Sequence, residues 1–122
     1  MIPIVAGGII YPGESIYSPN GAVRLTYQTN GDLVVVDGGN FITSISKTGG
    51  SEPGIVTLQA DGNLVLYNKS YQSLWASSFY CNGSYLKVQD DGNVVIYVPN
   101  SNDRGALWDS KGYTAYNRAS CN

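Results

Sequence analysis

The chain repeats itself three times, and that constrains its fold more than any other feature. Gln28-Thr-Asn-Gly-Asp-Leu-Val-Val-Val36, Gln59-Ala-Asp-Gly-Asn-Leu-Val-Leu-Tyr67 and Gln89-Asp-Asp-Gly-Asn-Val-Val-Ile-Tyr97 align without a gap, at a period of about thirty residues. A second echo comes after each: Ile42-Thr43-Ser44, Trp75-Ala76-Ser77 and Trp108-Asp109-Ser110. Three units result, roughly 12–44, 45–77 and 78–110, with a tail over 111–122. A unit this small cannot bury its own apolar face, so the three must share one core about a pseudo-threefold axis. No low-complexity segment or linker separates them, and 1–122 reads as a single domain.

The units are built of strands. Gly and Pro are scattered, Glu occurs only at Glu14 and Glu52, and Val, Thr and Tyr fill the space between breakers, a composition that favours pleated over helical backbone. Alternating or apolar runs predict strands at Val23–Tyr27, Leu33–Val36, Ile55–Leu58, Leu64–Tyr67, Tyr85–Val88 and Val94–Val98, each bounded by turn signals. The expected class is all-β.

Composition excludes several kinds of chemistry. Seven basic against nine acidic side chains leave a net charge of −2, without the basic excess that phosphate backbones demand, so nucleic acid is not an expected partner. The chain has no His, which removes His-based triads and His-ligated zinc. Its two cysteines cannot build a four-thiolate metal site, and no cofactor is expected. They can pair internally only as Cys81–Cys121; that bridge would close a loop of about 40 residues and contribute about 4 kcal/mol on chain-entropy grounds. A disulfide is compatible with the sequence but not required by it, which leaves the redox compartment open. The stretch from Met1 to Ile10 is apolar but has no basic flank, breaks at Pro3, Gly7 and Gly8, and is too short to span a bilayer. A soluble protein is expected, either secreted with its leader removed or cytoplasmic without one, and membrane insertion is not expected.

Loop length at the repeated turn decides which side chains share a face. A two-residue Asp61-Gly62 loop would pair Ala60 with Asn63; a three-residue loop with Gly62 left-handed pairs Gln59 with Asn63. The second is preferred, because it gathers Leu58, Leu64 and Leu66 on the core side. Gln59, Asn63, Val65 and Tyr67 then line the outer face with Asp61 at the turn, and Gln89, Asp91, Asn93, Val95 and Tyr97 do the same. Such a row mixes donors and acceptors around an apolar spot. A hexopyranose needs that mixture, since its hydroxyls both donate and accept while its C–H patch wants an apolar contact. The competing explanation is a solvated sheet face that keeps Asp-Gly only for the turn. It leaves unexplained why Gln and Tyr return at both ends of the hairpin in two units.

Gln59-x-Asp61-x-Asn63-x-Val65-x-Tyr67 and Gln89-x-Asp91-x-Asn93-x-Val95-x-Tyr97 are similar to the Gln-x-Asp-x-Asn-x-Val-x-Tyr motif of the monocot mannose-binding (bulb-type) lectins. Leu74-Trp75-Ala76-Ser77, Leu107-Trp108-Asp109-Ser110 and Tyr11-Pro-Gly-Glu-Ser15 also resemble that family, across residues 8 to 110. The resemblance implies a β-prism II fold, with three four-stranded antiparallel sheets and the tryptophans in the shared core. It also implies metal-independent, non-catalytic binding of α-D-mannose and mannose-rich glycans, as in an agglutinin. In that analogy Asp and Asn engage the axial 2-hydroxyl, Gln the 3-hydroxyl and Tyr the 4-hydroxyl, with Val against the ring carbons.

The first unit departs from the motif. Gln28 and Val34 stand, but Asn30 replaces Asp, Asp32 replaces Asn and Val36 replaces Tyr. Losing the phenol removes a hydrogen bond worth about 1 kcal/mol net, and exchanging amide for carboxylate inverts which position accepts. The first site is expected to be weak or dead. Ile42 stands where the other units carry Trp in the gapless alignment. Gly31 and Gly54 occupy positions where many family members have a cysteine pair, so any bridge here is a different one. The tail, with Tyr113 and Tyr116, fits the family's habit of exchanging a C-terminal strand, which points to a homodimer; folding back on its own subunit is the alternative.

Other features carry ordinary explanations. Asn68-Lys-Ser70 and Asn82-Gly-Ser84 fit the glycosylation sequon, which has meaning only in a eukaryotic secretory context. Residues 100–105 loosely resemble a calcium loop, but Arg104 falls on a ligand position and no bidentate Glu comes after it. Trp75 and Trp108, beside small residues, suit core packing better than sugar stacking. Tyr71, Tyr80 and Tyr85 are expected in loops near the sites. Two other functions compete with the lectin reading. A protein-interaction or toxin-like scaffold with vestigial sugar sites would keep its activity without Tyr67 and Tyr97. A glycosidase needs a matched carboxylate pair, yet Asp61 and Asp91 lie in separate units.

Overall fold

The computed structural model describes residues 4–5 and 7–112. These form twelve strands: β1 (Ile4–Val5), β2 (Ile9–Ile10), β3 (Ser15–Tyr17), β4 (Val23–Tyr27), β5 (Leu33–Asp37), β6 (Asn40–Ser44), β7 (Pro53–Leu58), β8 (Leu64–Asn68), β9 (Ser73–Ala76), β10 (Tyr85–Val88), β11 (Val94–Tyr97) and β12 (Ala106–Asp109). They lie in three four-stranded sheets, ordered β3-β4-β5-β6, β2-β7-β8-β9 and β1-β10-β11-β12, and every pairing is antiparallel.

Each sheet takes its two central strands from one repeat, and period-2 alternation divides their side chains between core and outside. On β4, Val23, Leu25 and Tyr27 enter the core while Arg24 and Thr26 face out. Leu33 and Val35, Leu64 and Leu66, and Val94 and Ile96 are the corresponding core pairs on β5, β8 and β11. Leu58 joins Leu64 and Leu66 there, as the three-residue turn requires. Trp75 and Trp108 meet edge to face with ring centroids 5.8 Å apart, and both pack against the core cluster.

The outermost strands were less legible. The apolar opening stretch supplies the fourth strand of two sheets: Ile9 and Ile10 pair with Thr57 and Val56, and Ile4 and Val5 pair with Leu86 and Tyr85. Between these strands Gly7 is left-handed (φ 90°); its N–H donates to the Leu58 carbonyl at 2.7 Å, and the Leu58 N–H donates back to Gly8 at 3.1 Å. The second and third sheets are therefore completed from a segment outside their own repeats.

The second echo is displaced by one residue in the first unit. Strand register places Thr43, not Ile42, opposite Val35, where Trp75 faces Leu66 and Trp108 faces Ile96. Ile42 sits in the bulge beside that pair and is exposed, whereas Ile45 packs on the core. Ser46, not Ser44, accepts the N–H of the strand-opening Leu33 (3.0 Å), as Ser77 does for Leu64 (3.1 Å) and Ser110 for Val94 (3.0 Å). One extra residue in this loop separates the two anchor points, and a gapless comparison hides it.

Candidate functional site

The three hairpin turns share one geometry. The N–H of Gln28, Gln59 and Gln89 donates to the carbonyl of Asp32, Asn63 and Asn93 at 2.8, 2.9 and 2.9 Å, so each loop has three residues. Gly31, Gly62 and Gly92 are left-handed, with φ of 92°, 88° and 89°. At Gly62 a Cβ would also overlap the Cys81 backbone. The residue before each glycine caps the turn: Asn30, Asp61 and Asp91 each accept, through Oδ1, the N–H two residues on (3.0, 2.9 and 2.9 Å). One carboxylate oxygen of Asp61 and of Asp91 is thus a structural acceptor.

In the second unit the other motif residues divide sharply between those committed to the fold and those that are not. Asn63 is buried; its Oδ1 accepts from the Ser77 hydroxyl at 3.1 Å and the Ser78 N–H at 2.8 Å, and its Nδ2 reaches the Tyr80 hydroxyl only at a long 3.5 Å. The amide carbonyl therefore anchors the next loop, and the amide N–H groups remain for a ligand. Gln59 and Tyr67, half-buried at either end of the hairpin, have no hydrogen-bond partner for the amide or the phenol among the described residues. Tyr80, 63% exposed, stands over the same amide.

The third unit has the same residues in a more closed state. Asn93 Oδ1 accepts from Ser110 at 3.1 Å, but its Nδ2 donates to Asp109 Oδ2 at 3.0 Å. Gln89 Nε2 donates to the Tyr97 hydroxyl in a close contact, and Tyr97 is only 7% exposed. Tyr85, its cross-strand partner, stacks on it with centroids 5.5 Å apart. The loop after β11 straps this pair down. Asp103 accepts from the Tyr85 hydroxyl at 2.6 Å and from Lys87 Nζ at 2.6 Å, while its own N–H donates to the Tyr85 hydroxyl at 3.0 Å. Asn100, Asn102 and Asp103 all adopt left-handed backbone there, a region that Asn and Asp tolerate best among non-glycine residues. Burial pushes the Tyr97 phenol up from its ordinary pKa, partly offset by the Gln89 bond. The hydrogen bond from Lys87, then that from Tyr85, holds the Asp103 carboxyl below its usual range, and Asp103 in turn raises the Lys87 ammonium. Composition gave no sign of this strap, because Lys87 and Asp103 meet only once the loop folds back.

In the first unit Asp32 does the work of Asn63. Its Oδ1 accepts from the hydroxyls of Ser44 (2.7 Å) and Ser46 (3.0 Å) and from the Thr48 N–H (3.3 Å). The amide-for-carboxylate exchange therefore preserves the loop anchor rather than inverting it, and what is lost is the outward amide donor. Val36 occupies the tyrosine position.

The motif valines differ from the expectation of an exposed apolar contact. Val34, Val65 and Val95 face outward by alternation, yet they are 1%, 3% and 3% exposed. Neighbours on both adjacent strands, Thr57 and Ala76 in the case of Val65, cover them, so each is a floor beneath the row rather than an open surface. Tyr71 lies in the turn between β8 and β9 and is exposed. Tyr27, not singled out from the sequence, is buried beneath the second unit; its hydroxyl accepts the Gly54 N–H at 2.9 Å and donates to the Tyr67 carbonyl at 3.4 Å. Cys81 is buried, and Cys121, with the rest of the tail beyond residue 112, lies outside the described residues. Among the described residues no group of three or more His, Cys, Asp or Glu is placed to hold a metal ion, and no helix is long and apolar enough to cross a membrane.

No family model matches the chain. Among curated proteins it is similar to a mannose-specific lectin of Aloe arborescens, 40% identical over 90 residues that span 70% of this chain and 82% of that protein. Among solved structures it is similar to a monomeric monocot mannose-binding lectin from Gastrodia elata (TM-score 0.77, 34% identity, 90% of this chain and 96% of that one). The snowdrop (Galanthus nivalis) mannose-specific agglutinin, solved with methyl-α-D-mannoside, superposes with a TM-score of 0.74 at 32% identity over 84% of this chain and 94% of that one.

Proposed function

We infer the function from kinship and from the free polar groups of the outer sheet faces: the chain belongs to the monocot mannose-binding (bulb-type) lectin family, and its relatives are lectins. We propose that it binds α-D-mannose and mannose-rich glycans, without catalysis and without a metal, through Gln59, Asp61, Asn63, Val65 and Tyr67, and more weakly through Gln89, Asp91, Asn93, Val95 and Tyr97. The observation that carries this reading is the second unit. A primary amide and a phenol with no partner among the described residues flank a buried amide whose carbonyl is already committed. A sugar hydroxyl placed there meets the Asn63 N–H as donor and the second Asp61 oxygen as acceptor, while Gln59 and Tyr67 reach its neighbours. The first unit, Gln28, Asn30, Asp32 and Val34, is proposed not to bind mannose.

A shallow site with four or five polar contacts binds one sugar weakly, so useful strength requires several sites on one branched glycan. A homodimer, formed through the tail, would supply them. The described residues already give each sheet four strands from one chain, so such a dimer would rest on residues beyond 112; mass measured by light scattering tests it. The binding itself is tested by an amide NMR titration with methyl α-mannoside on the native chain and on a Tyr67→Phe/Tyr97→Phe double variant. Saturable shifts around 59–67 and 89–97 that weaken in the variant support the proposal. No shift at tens of millimolar sugar, an affinity weaker than about 2 kcal/mol, would leave a protein-docking scaffold as the better reading.

A further inference from the structure

The first sheet has lost the motif phenol, but its outer face is not blank. At the tyrosine position, cross-strand pairing lines up Tyr17, Arg24, Val36 and Phe41 on β3, β4, β5 and β6. The row spans roughly 14 Å at the ordinary strand spacing. Its ends are exposed rings, Tyr17 at 40% and Phe41 at 63%, and Val36 between them is buried. Arg24 stands where the second and third sheets carry Ile55 and Tyr85. Its Nε donates to Thr26 Oγ1 at 3.2 Å, and that oxygen is held in turn by Ser15 at 2.7 Å. The guanidinium is thereby oriented, and among the described residues its terminal amino groups have no hydrogen-bond partner and it forms no ion pair.

We propose that this face binds an acidic pyranose, a glycan residue carrying a carboxylate. Arg24 grips the carboxylate with its planar fork, and the Tyr17 and Phe41 rings flank the C–H surface of the sugar. A half-buried cation between two exposed rings suits a ligand that is anionic at one edge and apolar on its faces, which a neutral mannose is not. The inference rests on the lectin reading of the outer sheet faces but not on mannose as the sugar.

The test is an amide NMR titration with methyl β-D-glucuronide, run beside the neutral methyl β-D-glucoside, sodium sulfate at matched ionic strength and methyl α-mannoside. Glucuronide is expected to move the amides of Tyr17, Arg24, Val36 and Phe41, with the glucoside roughly tenfold weaker or silent. Arg24→Gln is expected to weaken glucuronide binding by roughly tenfold. Phe41→Ser, at an exposed edge position, is expected to weaken it while the spectrum stays folded. Silence of the row at about 50 mM glucuronide, an Arg24→Gln variant that binds equally well, or the same shifts from sulfate, meaning an adventitious ion only, overturns the proposal. Mannoside reads the other faces in parallel: mannoside shifts at 59–67 together with no glucuronide shifts in the first sheet sink this inference alone, and glucuronide shifts in the first sheet together with no mannoside shifts at 59–67 sink the mannose reading alone.

Discussion

Tyr67 and Tyr97 occupy the same motif position, yet removing their hydroxyls should have opposite consequences. The Tyr67 hydroxyl has no partner among the described residues, so Tyr67→Phe breaks nothing in the free protein, and its stability should stay within about 0.5 kcal/mol of the native chain. What it removes is one hydrogen bond to the sugar, worth about 1 kcal/mol net, which raises the Kd for methyl α-mannoside at the second site roughly fivefold. Tyr97 is only 7% exposed, and its hydroxyl already accepts from Gln89. Tyr97→Phe leaves that half-buried amide unpaired and should lower stability by about 1 kcal/mol, a fall in Tm of about 4 °C for a chain of this size. Mannoside binding at 59–67, on another sheet, should not change. Site-resolved NMR titration and thermal unfolding of the two single variants measure both quantities. If Tyr67→Phe destabilises as much as Tyr97→Phe, or leaves the mannoside Kd unchanged, the division between an open second site and a closed third one is wrong.

Three further outcomes are expected from the geometry. Asp32→Ala should destabilise by about 2–3 kcal/mol, because two hydroxyls and an N–H lose one shared acceptor; Asp32→Asn, matching Asn63 and Asn93, should keep most of the stability in denaturant titration. The depressed Asp103 carboxyl contributes fully above its unfolded value near 3.8 and loses that contribution as pH falls through its lower folded value. The raised Lys87 ammonium contributes below 10.5 and loses its contribution as pH rises through its higher folded value. Between those limits the strap stays closed, so the amides of residues 85, 97 and 103 should shift together only at the acid and alkaline ends of an NMR pH titration. Cys81 and Cys121 are proposed to pair; without reductant neither should alkylate in mass spectrometry, and reduction should lower stability by up to about 4 kcal/mol.

The central strands and their register were legible because two signals agreed. Alternation placed Val23, Leu25 and Tyr27, and likewise Leu58, Leu64 and Leu66, on one side, and Asp-Gly or Asn-Gly with the required left-handed glycine set the loop length. The rim was not legible. Ile4–Val5 and Ile9–Ile10 are two-residue strands whose partners lie far along the chain, and no local period announces them. The extra residue before Ser46 is a loop insertion after β6 that a gapless alignment cannot see, since the bulge beside it recurs in all three sheets. At the sites, residue types identified the rows, but the difference between the second and third came from Lys87 and Asp103, which are 16 residues apart and meet only through a folded loop.

The motif is best understood as two sets of residues with different obligations. Asp61 caps its turn, Gly62 takes a backbone conformation closed to other side chains, and Asn63 holds the next loop through Ser77 and Ser78. Each is required by the hairpin whether or not a sugar binds. Gln59 and Tyr67 have no such duty in the second unit. In the first unit the two sets have come apart: Asn30, Gly31 and Asp32 still cap, turn and anchor, while the phenol has given way to Val36. Asp-Gly-Asn therefore reports the fold, while Gln59 and Tyr67, free of structural duty, are the residues proposed to meet the ligand. The outward amide of Asn63 belongs to both sets, because Asp32 meets the structural requirement with a carboxylate and forfeits the donor. An Asn63→Asp variant should accordingly keep its hairpin and lose mannoside affinity, the combination proposed for the first unit.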